Sequence, residues 1–424
     1  MYRGRCYLLI LSLILIPQLA TATVYYVATN GNDSYNGLYP SYQGGSDGPF
    51  RTLNKAARMV KAGDTVKIRG GTYREASTWS ANGTEKNPIQ ITNYNSEIVI
   101  IDGNNHTIPS SDYGSLLKIS GDWYKVRNLE VSYSSCYGIM VTNAAEHCMI
   151  SNCYAHHNWH CGITLSGSYG LIENCRAYYN SQWYEWGIGE PGAWSSGIAV
   201  CRTPYYSTVR GCTAWNNWGQ GIDVYESYHC TVEDCVSYDN MANFYISDTK
   251  YCLFQRNLSY FSPGNLLKPY VWQFAIMMGN EGKVPASSDN TVINNLAIGG
   301  QRNFHIGSNV LENCLIAYNT IVNADTSSAS NYNLWINGGT YSNARIENNI
   351  IVQENGVRIA TNNSTGINFS HNLWSKTPPN SCQGIDSIIA NPLLAKTGST
   401  AAGQLSPAYF KLLAGSPAIG MAQV

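Results

Sequence analysis

ISNCYAHHN (150–158), IENCRAYYN (172–180), VRGCTAWNN (209–217) and VEDCVSYDN (232–240) are one pattern written four times. Cys153, Cys175, Cys212 and Cys235 form one column; Asn158, Asn180, Asn217 and Asn240 form another. The cysteine spacings are 22, 37 and 23, so the middle interval is one period plus an insertion of about 14 residues, placed between Asn180 and Ser195. The pattern continues more loosely through FQRNLSYFS (254–262), VINNLAIGG (292–300), LENCLIAYN (311–319), IENNIIVQE (346–354) and FSHNLWSKT (369–377). A second element repeats in phase: YGIMVTN (137–143), CGITLSG (161–167), SGIAVCR (196–202), QGIDVYE (220–226) and NFYISDT (243–249). Its apolar residues alternate with variable ones, as in a strand buried on one face. Short strands recurring every 20 to 25 residues predict an all-β fold, a right-handed parallel β-helix solenoid in which each rung buries its inner side chains by stacking on its neighbours.

Composition agrees. Thirty-nine glycines and 50 aromatics in 424 residues suit short strands and turns. With 12% charged residues and a net charge of -1, the chain lacks the basic balance of a general nucleic-acid binder.

The ends have their own logic. Arg3 and Arg5, an apolar run from Cys6 to Ile16 and the triplet Ala20-Thr21-Ala22 read as a signal peptide over residues 1–22. The mature protein is then expected to be exported, without a membrane span and as a monomer, with residues 23–424 forming one β-helix domain. Residues 50–62 place Leu53, Ala56, Ala57 and Val60 at helical spacing, predicting a short cap helix within an amino-terminal cap of about 23–75. A carboxy-terminal cap is expected over about 385–424. Twelve cysteines remain after cleavage; an inward ladder of small apolar groups is expected, with bridges such as Cys230–Cys252 left open.

If the apolar residues of the second element face inward, Met140, Thr164, Ala199, Asp223, Tyr245, Ala275, His305, Trp335 and Arg358 stack outward. Arg202, Glu226 and Asp248 stack beside them. Asp223, Glu226 and Asp248 would then offer three carboxylates within one or two rungs, a set suited to Ca²⁺; an exposed ion-pair ladder is the plainer reading. Trp183, Tyr184, Trp186 and Trp194 in the insertion, with Trp272 and Trp335, are candidate stacking surfaces for sugar rings. His156, His157, His160 and Cys161 have partly metal-like spacing but fall in a turn of the repeat.

YYVATNGNDSYNG (25–37), GPFRTLNKAA (48–57), AGDTVKIRGGTYRE (62–75), NPLLAK (391–396) and FKLLAGSPAIG (410–420) resemble the ends of secreted right-handed β-helix proteins. From Cys153 to Ser227 the chain resembles the family nine pectate lyases, through CYAHHN, CRAYYN, CTAWNN and GIDVYES. That resemblance implies a Ca²⁺ held by several Asp, and a Lys base that removes the proton alpha to a uronate carboxyl. Asp223 matches the last Asp of the Ca²⁺ motif. Gly219 and Gln220 stand where the preceding Asp pair is expected, and Ser181-Gln182 stand near another expected Asp. The strand QFAIMMG (273–279) puts Ala275 or Met277 at the base position. Lys250 and Lys268 are the nearest replacement lysines, Tyr245 and His305 are alternative bases, and Arg202 is an alternative cation. The expectation is a secreted lyase acting on an acidic polysaccharide by β-elimination. Alternatives are a glycoside hydrolase using paired carboxylates and a non-catalytic glycan-binding solenoid.

Overall fold

The structure, a computed structural model, is described for residues 22–104, 114–181, 195–265, 272–307 and 311–421. The expected leader therefore lies outside the described residues. No described helix is long and apolar enough to cross a membrane.

Three sheets run the length of the molecule. The first has 13 strands from Val24–Val27 to Thr365–Ser370, the second 11 from Ser77–Trp79 to Arg358–Asn362, and the third 13 from Gly71–Tyr73 to Ile388–Ile389. The strands pair in parallel, each with its equivalent one rung earlier and one rung later. This is the parallel β-helix that the repeat predicts.

The local chemistry explains the motif. Asn152, Asn174, Gly211 and Asp234, each just before a column cysteine, have φ between 52° and 60°. The chain turns there from the first sheet to the third through a left-handed residue, and Asn, Asp and Gly tolerate that conformation best. Inside the turn, the Cys153 N–H donates to Cys175 Sγ and the Cys175 N–H to Cys212 Sγ, both at 3.4 Å. Asn158, Asn180, Asn217 and Asn240 are fully buried, each amide bonding the next at 2.8–3.1 Å. The glycines of YGI, CGI and SGI lie against this ladder: a Cβ on Gly197 would sit 2.6 Å from Asn217 Nδ2.

Two expectations shift, and the inward cysteine ladder holds. Leu315–Ala317 pairs with Thr291–Ile293, so Asn319, and not Cys314, continues the main column, accepting the Asn295 N–H at 2.9 Å. Cys314 instead follows Asn290, five residues upstream in the rung, because CLIAYN carries a ladder residue at both ends. On the outer face of the second sheet, Tyr245 pairs with Met277, not Ala275, which is buried in the core, and Trp335 pairs with Thr361, not Arg358. Finally, all 12 described cysteines are free thiols, Cys230 and Cys252 included, and all but Cys201 are buried.

The cap helix spans Leu53–Met59, with the Thr52 side chain accepting the Lys55 N–H and Leu53, Ala56 and Ala57 buried. At the other end Leu394, Leu405 and Phe410 cover Tyr238, Leu258, Tyr260 and Ile298 on the outside of the third sheet.

Candidate functional site

The second sheet is widest at two nine-residue strands, Gln220–Tyr228 and Ala242–Lys250. Asp223 projects from the first, between Ala199 of the preceding strand and Tyr245 of the next. It borders a pocket of about 390 Å³ that Tyr137, His160, Ser196, Arg202 and Glu226 also line. Asp223 is only 8% exposed; Oδ2 accepts the Ser196 hydroxyl at 3.3 Å, and Oδ1 is buried without a partner among the described residues. Burial pushes its carboxyl up to about 8, against the Ser196 hydrogen bond and with help from the nearby Glu281 carboxylate. Asp223 is therefore a carboxylic acid at neutral pH, a proton donor facing a polar pocket.

Glu281 is the residue that the sequence did not single out. It lies just beyond the strand Phe274–Gly279 and accepts the Tyr245 hydroxyl. Asp248 sets its place: fully buried, it receives the Glu281 N–H at 2.8 Å on one oxygen and the Lys283 N–H at 2.6 Å on the other. Tyr245 is 3% exposed, and burial and the Glu281 carboxylate hold its hydroxyl far above the ordinary phenol range. It keeps its proton, so the expectation of Tyr245 as base gives way to Tyr245 as the donor that orients Glu281.

The other candidates divide. Arg202 reaches the pocket, donating to the Tyr137 hydroxyl at 3.2 Å. His160 stacks on Tyr137 with ring centroids 5.1 Å apart and meets Ser195 Oγ at 2.9 Å; burial and then Arg202 lower its pKa, leaving it neutral. His156 and His157 bond to each other, and His156 also meets Glu130, in a ring stack rather than a metal site. Lys250 sits outside the pocket, five residues along the strand from Tyr245, with its ammonium 3.6 Å from Asp289. His305 is three rungs from Asp223 along the outward column, with Met277 between it and Tyr245. Burial drives its pKa down to about 3, so it is a poor base. Trp272 and Trp335 flank Arg302 on that distant part of the face. Lys268, Trp183, Tyr184, Trp186 and Trp194 lie outside the described residues.

A calcium centre does not fit these residues. A Cβ on Gly219, where the resemblance expects an Asp, would sit 1.8 Å from the Ser195 carbonyl oxygen, so this backbone excludes any side chain there. Asp248 spends both oxygens on backbone N–H groups, which leaves neither free for a cation. Asp223, Glu226 and Asp248 share two adjacent columns but do not form the expected carboxylate cage. Among the described residues no group of three His, Cys, Asp or Glu is arranged to hold a metal.

Fold and site together define a carbohydrate-active, pectate-lyase-like parallel β-helix protein. The Pel9A-like right-handed β-helix region matches residues 25–251, more than half of the chain, and the chain belongs to that family. Pectate lyase L of Dickeya dadantii (strain 3937) is 26% identical over 345 residues, covering 74% of this chain and 76% of the relative. Pectate lyase L of Dickeya chrysanthemi is 25% identical over 315 residues, 69% of each. Among solved structures, the Dettilon tailspike protein superposes with a TM-score of 0.52 at 14% identity, over 78% of this chain and 63% of that one, a likeness of fold.

Proposed function

We propose that the protein is a secreted lyase that cleaves a uronate-containing polysaccharide by β-elimination, with Glu281 as base and Asp223 as acid. The carrying observation is a pair of carboxyl groups near each other in different roles. Asp223 is kept protonated by burial, while Glu281 accepts the Tyr245 hydroxyl and is near enough to raise Asp223. In the reaction Glu281 takes the proton alpha to the uronate carboxyl. The C–H electron pair becomes the new C=C bond, the C–O bond to the leaving sugar breaks, and Asp223 gives its proton to that oxygen. Arg202, on the pocket wall, supplies positive charge for the uronate carboxylate as charge builds on it. Glu281 then releases its proton to solvent and Asp223 takes one back, which restores both groups. Pectate lyase relatives over more than two thirds of the chain support the reaction class, and the apolar run Cys6–Ile16 supports export.

A specific observation also favours hydrolysis: a carboxylic acid raised to about 8 beside a second carboxylate is what a glycosidase needs to protonate the glycosidic oxygen and activate water. One experiment separates the readings. The mature protein is incubated with a panel of polyuronates, with Ca²⁺ and with chelator, alongside Asp223→Asn and Glu281→Gln. Unsaturated ends absorbing in the ultraviolet, formed equally with chelator and lost in both variants, are expected. Reducing ends without that absorbance would select the hydrolase, and binding without turnover a glycan-binding solenoid.

A further inference from the structure

Three rungs beyond Asp223, the outer face of the second sheet holds a cation with no counter-charge among the described residues. Arg302 opens the strand Arg302–Ile306 and packs its guanidinium 3.2 Å from the Trp335 ring centroid and 4.5 Å from that of Trp272. Trp272 comes from the preceding rung and Trp335 from the following one, and Phe274 adds a third ring at 5.5 Å. No carboxylate pairs with Arg302 among the described residues, and its Nε is buried without a partner. Two rungs further along the same column Arg358 lies over the Tyr332 ring, at 5.3 Å, and also has no acidic partner among the described residues.

A guanidinium taken out of water is costly unless an anion meets it. The rings recover part of that cost by cation–π attraction, but they leave the hydrogen-bonding edge unused. Burial accordingly lowers the Arg302 pKa to about 10, a shift that leaves it charged at neutral pH. Structural ion-pairing does not explain the residue, because among the described residues nothing acidic pairs with it. Trp272 is 51% exposed and forms an open rim beside it.

We infer that Arg302, flanked by Trp272 and Trp335, is an anion-reading subsite that takes the carboxylate of an acidic sugar while the exposed indole stacks on the ring. At about 4.8 Å per rung and about 3.3 Å per residue along the strand, three rungs and three residues put the subsite about 17 Å from Asp223, the reach of a short oligosaccharide and not of one ring. Arg358 extends the same cationic line. The inference rests on the reading of this face as the glycan track, but not on which bond is broken or how.

The test is calorimetric binding of the mature protein to oligouronates, galacturonate and alginate hexamers, each compared with its fully methyl-esterified form, which keeps the shape and removes the charge. The acid form is expected to bind at least tenfold tighter, with a preference that falls as salt rises. Arg302→Gln should erase that preference, weakening the acid form by roughly 10- to 100-fold and leaving the ester unchanged. Arg302→Lys should keep part of it, and Trp272→Ala should weaken both forms. Circular dichroism checks that each variant is folded. If Arg302→Gln fails to fold, the salt dependence and the acid-to-ester ratio of the unaltered protein decide. Equal binding of acid and ester, an Arg302→Gln protein that keeps the preference, or no binding of any acidic hexamer would overturn the subsite. A preserved preference without turnover would sink the lyase proposal and leave the subsite standing; turnover of polyuronates indifferent to Arg302 would do the reverse.

Discussion

Asp223 carries an outward carboxyl that its own neighbours keep dry. Its native pKa of about 8 is far above the usual aspartate value of about 3.9, so the folded protein holds a proton that the unfolded chain releases across that interval. Stability from this group is full below about pH 4, falls as pH rises towards 8 and levels off above it. Asp223→Asn keeps the shape and removes the titration. Its Tm should gain on the parent's as pH is raised from 4 to 8, while turnover falls by about 10²- to 10⁴-fold, the range for a lost general acid. A constant Tm difference across that range would mean that the carboxyl is not held protonated. Activity of the unaltered protein should decline as pH passes about 8, where the acid loses its proton. Glu281→Gln removes the neighbouring charge and should move the Tm crossover of Asp223 to lower pH. The sequence made Asp223 and Arg202 legible because the first sits in a strand of regular alternation and the second directly follows one. Glu281 was not legible: it lies in an irregular turn, and what aims it is the long-range bond from Asp248, which no local pattern encodes.

At the scale of the element, the rung is held by polar ladders as much as by its aliphatic filling. Asn217 donates to the Ala177 carbonyl and to Asn240 Oδ1, and accepts from both the backbone and the amide of Asn180. Asn217→Ala leaves several of these buried groups without partners and should cost about 3–5 kcal/mol in chemical denaturation. A loss below about 1 kcal/mol would show that water replaces the ladder. Asp248 works on one turn only. Asp248→Ala should release the turn bearing Glu281, lowering kcat more than it raises KM, and Asp248→Asn, which keeps an acceptor oxygen, should recover part of the loss. The repeat itself was readable because Asn, Gly or Asp fills the left-handed turn before Cys153, Cys175, Cys212 and Cys235. Register failed where a segment carried two candidate ladder residues, as in CLIAYN, since only pairing with the neighbouring rung decides between them.

For the whole molecule, stacking makes the rungs depend on their neighbours, so any uncovered apolar strip is a local liability rather than a global one. The tail is such a cover. Leu394, Leu405 and Phe410 seal a line of Tyr238, Leu258, Tyr260, Ile298, Val322 and Val352 on the third sheet, and the Gly403 N–H donates to the Tyr260 hydroxyl at 2.7 Å. Nothing in a rung's own pattern says that a segment over 140 residues later will lie across these outward aromatics. Free thiols leave no covalent brace in the described chain, so reductant should not change Tm. Stability then rests on packing, and the tail's three large apolar side chains each contribute about 1.5–3 kcal/mol of burial before the entropy of ordering the segment is subtracted. Deleting residues 391–424 should therefore leave the far-ultraviolet β signal intact while exposing the strip. The expected result is a Tm lower by several degrees, new binding of a hydrophobic dye and concentration-dependent association, because an exposed apolar patch seeks another surface. Phe410→Ala and Leu405→Ala together should give a weaker version of the same change. If the shortened protein binds no dye and melts where the full chain does, the strip must be stable in water by itself, which its nearly complete burial in the full chain argues against.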